Sequence, residues 1–213
     1  MEERRFTGKD MIHRDFQKEF IEMSNSYASL AARILVPMFT LMGASAIPVT
    51  AFAGDTAGIV QASHPPAEVF MPKLAELKSK THVPILLPDA LPKPFTDAKD
   101  VLIHATENKY DVGLYFRLDY GNAGYAGGFS GEAKPKYGPR DIPNVEPIPL
   151  VNGIQGYFRS VGCGGSCGPA NLWWQVGDVL YQVQLRLSPR TDVQQQKDLV
   201  SSVANSAILA GAR

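Results

Sequence analysis

The residues most able to do chemistry in this chain are its only two cysteines, in Cys163-Gly-Gly-Ser-Cys167. Such a pair has three uses. It can close a disulfide, it can bind a soft metal such as copper(I) through thiolates, or it can cycle between dithiol and disulfide. A Cys-x-x-x-Cys copper site wants a histidine close by, and the histidines nearest in sequence, His64, His82 and His104, are all distant. Redox dithiols more often use Cys-x-x-Cys at the start of a helix, whereas the residues after Cys167 read as a strand. One lone pair in an exported chain defaults to a disulfide, and two intervening glycines let the loop bend enough to join the sulfurs. A structural Cys163–Cys167 disulfide is therefore expected, with no cofactor. A copper or redox site at Cys163 and Cys167 is the alternative.

The other candidates are binding surfaces. Trp173 falls on the wetter side of its strand, where it either packs beneath the cystine loop or the closing helix, or stands exposed for a ligand or partner. Gly121-Asn-Ala-Gly-Tyr-Ala-Gly-Gly-Phe-Ser-Gly131 is too glycine-rich for an ordinary strand interior and has no helix after it to form a phosphate loop. It reads as a flexible strand or mobile loop presenting Tyr125 and Phe129. The chain has no Gly-x-Ser-x-Gly, no His-x-x-x-His after the apolar run, and carboxylates scattered through turns, so no catalytic residue is assigned.

The elements that must position these residues follow from periodicity. Gly177-Asp178 is a two-residue turn between alternating apolar runs, which pairs Val176 with Val179, Trp174 with Tyr181 and Leu172 with Val183 on one face. Trp173, Gln175, Leu180, Gln182, Gln184 and Arg186 take the other face. Val101–Ala105 and Val112–Tyr120 read as an antiparallel pair turning at 107–109. A strand around Ala126–Glu132, a long proline-rich surface loop, and a strand over Gly153–Val161 complete the sheet. Val83-Pro-Ile-Leu-Leu-Pro88 suits an extended edge segment. Helices are expected over Glu68–Lys80, with Pro72 in the first turn, and after Thr191-Asp-Val-Gln194, a capping box with Thr191 as cap. Val200, Val203, Ala204, Ala207 and Ile208 form the apolar stripe of that closing helix. The order implies an α+β fold, an antiparallel sheet packed by a C-terminal helix, with a short N-terminal helix.

Charge and leader set the compartment. Lys+Arg 21 balance Asp+Glu 21, six of each before Gly54 and fifteen of each after it, so there is no electrostatic footprint for nucleic acid. Ile34–Ala53 is a long uncharged run after Arg33, ending Ala51-Phe52-Ala53 before Gly54, the layout of a signal peptide cleaved after Ala53. Retained, the same run becomes an inner-membrane anchor, the one circumstance that brings in a membrane. Residues 1–53 are thus leader and signal, with Met11 and Met23 as alternative starts. Arg4-Arg5 lacks the context of a twin-arginine signal. Residues 54–66 are a flexible lead, and 67–213 a single α+β domain, periplasmic or secreted.

Leu172-Trp-Trp-Gln-Val-Gly-Asp-Val-Leu-Tyr181, Val203-Ala-Asn-Ser206 and the proline-bounded Val83–Pro88 resemble a family of bacterial extracytoplasmic domains of unknown function, found in lipoproteins and on the outer side of anti-sigma factors. The likeness covers roughly the last third of the chain plus that segment. The cystine loop and glycine-rich middle depart from the family pattern. The resemblance implies a sensory or binding module in the cell envelope, acting on an envelope protein or a small ligand, and no enzyme.

Overall fold

The computed structural model describes residues 64–164 and 166–213, so the expected leader, signal run and start codons lie outside the described residues. Seven strands form one sheet: β1 Asp100–Thr106, β2 Lys109–Tyr115, β3 Tyr125–Ala133, β4 Glu146–Pro149, β5 Gln155–Arg159, β6 Ala170–Val176 and β7 Val179–Leu185. Their spatial order is β1-β2-β3-β7-β6-β5-β4, and every neighbouring pair is antiparallel. Helix α1, Met71–Lys80, follows a 3₁₀ turn at Glu68–Phe70, and helix α2 spans Val193–Ala210. The fold is α+β.

The β6–β7 hairpin has the register expected from its Gly-Asp turn, with Val176 opposite Val179, Trp174 opposite Tyr181 and Leu172 opposite Val183. Gly177 takes the positive φ the tight turn requires, 59°. Because side chains alternate, this register sends one set of residues under the helices. Across the sheet the core row runs Val112, Phe129, Val183, Leu172, Phe158. Trp174 stacks on Tyr181 at 5.6 Å and Phe70 meets Phe129 edge-on at 5.4 Å. The next row sets large beside small: Tyr110, Gly131, Tyr181, Trp174, Gly156. A Cβ on Gly131 would stand 2.5 Å from the Tyr110 ring, so this glycine is a seat for an aromatic ring.

Several expectations change. The glycine-rich stretch is no mobile loop, since its second half is β3, a central strand paired on both sides. Phe129 is 3% exposed within the core, which removes it as a presented aromatic. Its strand parity aims it at the helices, and Phe70 covers it. Strand β2 starts earlier and ends sooner than its periodicity suggests. After Tyr115 the chain leaves the sheet for a 3₁₀ excursion, Leu118–Gly124, kinked at Gly121 with φ 51°. Val83–Pro88 contributes a single bridge, Leu86 to Ala212, rather than a strand. It is held by phenol tips: Leu86 N–H donates to Tyr110 Oη at 3.0 Å and Tyr181 Oη donates to the Pro84 carbonyl at 3.0 Å. Burial drives the hydroxyl pKa of both tyrosines up. Asp192, not Thr191, caps α2, its carboxylate accepting from the Gln194 and Gln195 amides at 2.8 and 3.3 Å. The Thr191 carbonyl is engaged instead by the Gln196 side-chain amide.

Candidate functional site

Neither α1 nor α2 lies on the second face of the sheet, and it carries most of the remaining polar residues. Strand pairing fixes its central row as His104, Asp111, Ser130, Gln182, Trp173, Tyr157. Beside it runs Leu102, Gly113, Gly128, Gln184, Asn171, Arg159. Amide and hydroxyl groups here are linked in a chain. Ser130 Oγ donates to Gln182 Oε1 at 3.5 Å, Gln182 Nε2 donates to Asn171 Oδ1 at 2.8 Å, and Asn171 Nδ2 donates to the Pro169 carbonyl at 2.7 Å. Asn171 is buried, while Ser130, Gln182 and Gln184 are half-buried.

Tyr125 begins β3 at one end of this face. Its hydroxyl donates to Gln184 Oε1 at 2.9 Å, and its ring meets Tyr115 at 5.4 Å in an edge-on pair. Burial pushes its pKa up, so the phenol stays a neutral donor. The two rings lie over adjacent glycines: a Cβ on Gly113 would reach Tyr115 at 3.0 Å, and one on Gly128 would come 2.7 Å from the Tyr125 hydroxyl. Tyr125 is therefore half-buried and engaged, rather than held out from a loop.

Trp173 is on this face as its parity requires, yet it is 7% exposed. The closing helix packs on the opposite side and plays no part in covering it. The Arg159 guanidinium sits 4.9 Å from the ring centroid, a cation–π arrangement. A 3₁₀ turn at Pro139–Asp141 packs beside β5 and β6, and there Arg140 Nε donates to the hydroxyl of Tyr157, the residue directly opposite Trp173. Gly138 N–H donates to Asp141 Oδ2 at 2.8 Å and closes that turn.

The acidic end of the row has its own electrostatics. Lys109 Nζ bridges Asp111 at 3.7 Å and Glu132 at 3.8 Å. Burial raises the Asp111 carboxyl above the ordinary range, while the charges of Lys109 and His104 pull it down. The order across the strands decides what this group can do. Asp111 stands between His104 and Ser130, which puts those two about 10 Å apart at ordinary strand spacing. A serine–histidine relay needs the histidine in the middle. Among the described residues, no group of three or more His, Cys, Asp or Glu could hold a metal ion.

Cys163 and Cys167 form a disulfide with Cα atoms 4.1 Å apart, in an exposed loop between β5 and β6. While the bond stands, neither sulfur is a free thiolate. Gly168 N–H donates to the Gly162 carbonyl, which closes the base of the loop.

Of the residues singled out in the sequence, the structure brings Trp173 and Tyr125 to one face, puts Phe129 on the other, and leaves the cysteines in a separate loop. Sequence reasoning missed Ser130, Asn171 and Asp111, because Ser130 and Asn171 meet only through β3 pairing with β7, strands distant in the chain, and Asp111 joins them through β2 pairing with β3. The chain matches no protein-family model, no curated protein and no solved structure. The resemblance carried by Leu172–Tyr181, Val203–Ser206 and Val83–Pro88 rests on those residues alone.

Proposed function

We propose that this chain is an exported bacterial protein whose α+β domain serves as a non-catalytic binding or sensing module of the cell envelope, and that the helix-free sheet face receives its partner or ligand. The observation that carries this reading is the set of half-buried amides and hydroxyls on the central strands β3 and β7, with Ser130 linked to Gln182 and Gln184 linked to Tyr125. Such groups offer donors and acceptors at fixed positions, the arrangement a polar ligand or peptide requires. Trp173 and Arg159 act beneath this surface as support. Export is supported by the sequence layout around Ala53, and a disulfide on an exposed loop suits an oxidising compartment.

A photo-crosslinking residue at Ser130 tests the surface in the intact envelope, with the same residue at Leu209, an exposed position on α2, as control. A discrete adduct from position 130 alone is the expected outcome. No adduct, or the same adducts from both positions, overturns the reading. The intact mass with and without reduction and alkylation tests export: a mass starting at Gly54 supports cleavage, and a mass retaining 34–53 gives the inner-membrane-anchored form. The second reading, a copper or redox site, is favoured by the exposure of both cysteines. Thiols that alkylate without prior reduction, or retained copper, would put it first.

A further inference from the structure

The two edges of the sheet are built differently. Just past β4 the Leu150 N–H donates to the Ile154 carbonyl, so residue 150 and its alternates on β4, 148 and 146, turn their backbone groups toward β5. Residues 147 and 149 then face outward, and both are proline, which has no N–H to offer. That edge is closed to further strand pairing.

On β1 the two-residue turn at 107–108 is closed by Thr106 and Lys109. Thr106, His104, Leu102 and Asp100 therefore direct their backbone groups to β2, while Val101, Ile103 and Ala105 direct theirs outward. Among the described residues, no backbone group bonds to those three outward positions. The strand is seven residues long and contains neither proline nor lysine, the residues that usually protect an edge. Leu102 is 46% exposed, the most exposed large apolar residue in any strand of the sheet.

We infer that β1 pairs with β1 of a second copy, antiparallel about a two-fold axis at Leu102, which joins two sheets into one. The strand is complementary to itself in this register. Outward groups of Val101 and Ile103 meet those of Ile103 and Val101 in the second copy, so the hydrogen-bonding positions coincide. Leu102 meets Leu102 at a closely spaced, non-hydrogen-bonded position and covers the exposed apolar surface. On the same face Asp100 lies opposite His104, an acid beside a potential cation, at both ends of the pairing. On the other face Val101 and Ile103 extend the apolar layer. The contact is short, which places it among weak, reversible interfaces.

Sedimentation velocity on the whole chain from about 1 to 500 µM, the span in which such an interface titrates, should show a monomer–dimer equilibrium. Leu102→Lys sets two ammonium groups against each other without touching the core, and should weaken dimerisation at least tenfold with an unchanged circular dichroism spectrum. Leu102→Cys should form an intermolecular disulfide on mild oxidation, mapped as a 102–102 peptide, while His104→Cys, whose counterpart is Asp100, should not. A monomer at every concentration overturns the inference. So does a dimer indifferent to Leu102→Lys, or a His104→Cys chain that crosslinks as readily as Leu102→Cys.

Discussion

Trp173 and Trp174 are neighbours in sequence, and both are nearly removed from water, but they sit on opposite faces with different surroundings. Trp174 is 1% exposed, stacked on Tyr181 and enclosed by the helix-covered core. Its indole N–H has no acceptor among the described residues, so the side chain is held by packing alone. Trp173 has the Arg159 guanidinium against its ring and a 3₁₀ turn packed beside its strand, on a face of hydrogen-bonded amides. Packing against helices builds stability on one side. On the other side, polar groups are kept ordered and partly open, which is the condition for recognition.

The largest expected effect comes from breaking the covered face. Trp174→Ala should cost about 3–5 kcal/mol in urea denaturation, the range for removing a large aromatic from a core that cannot collapse around the hole. Trp173→Ala should cost about 2 kcal/mol, because the hole opens on a face that neither helix covers and only the transfer and cation–π contributions are lost. Equal losses would mean that the two faces are packed alike.

The two faces also differ in how they treat an added methyl. Gly131→Ala drives a Cβ into the Tyr110 ring, whose hydroxyl is fixed to Leu86, and should destabilise by about 1–3 kcal/mol or more. At Gly128 the Cβ would stand 2.7 Å from the Tyr125 hydroxyl and 2.9 Å from the Val112 carbonyl, a shallower overlap than the 2.5 Å approach to the Tyr110 ring at Gly131. Gly128→Ala should therefore cost less, and a loss exceeding that of Gly131→Ala reverses the comparison.

What the sequence made legible follows from the range of the interactions. The β6–β7 register, the closing-helix stripe and the cystine depend on residues within one hairpin, one helix or one short loop, where period and turn chemistry suffice. The capping position slipped by one because Thr191 and Asp192 are both good caps, and the side-chain amide of Gln196 settles which serves. The glycines of β3 read as looseness because their meaning lies in Tyr110 and Tyr125, side chains that the fold brings onto Gly131 and Gly128. Strand β4 was hidden in a proline-rich stretch, since an edge strand tolerates proline at outward positions. The candidate face needed the β3–β7 pairing, which no local pattern encodes.

Charge gives a smaller, pH-dependent contrast. The folded-state pKa of Asp111 is raised chiefly by burial, so the native protein holds this proton more tightly than the unfolded chain does. The sign follows: the favourable contribution is complete below the unfolded carboxylate value, about 3.9, and is lost as pH rises through the higher folded value. Asp111→Asn should raise the melting temperature at pH 7 and bring no gain at pH 3. A mutant less stable at pH 7 would mean that the Lys109 pairing outweighs burial, and would make this end of the row an ion-pair site.

The smallest effect belongs to the disulfide. Cys163 and Cys167 are four positions apart, so the bond restricts little of the unfolded chain, and its loop lies outside both faces. The double replacement Cys163→Ser with Cys167→Ser should cost well under the roughly 3 kcal/mol of a fifteen-residue loop. It should leave the Trp173 and Trp174 environments unchanged by fluorescence, because the backbone bond from Gly168 to Gly162 still closes the loop base. A loss of several kcal/mol, or a shifted tryptophan spectrum, would show that the loop sets the path of β6 and so helps to hold the helix-free face in place.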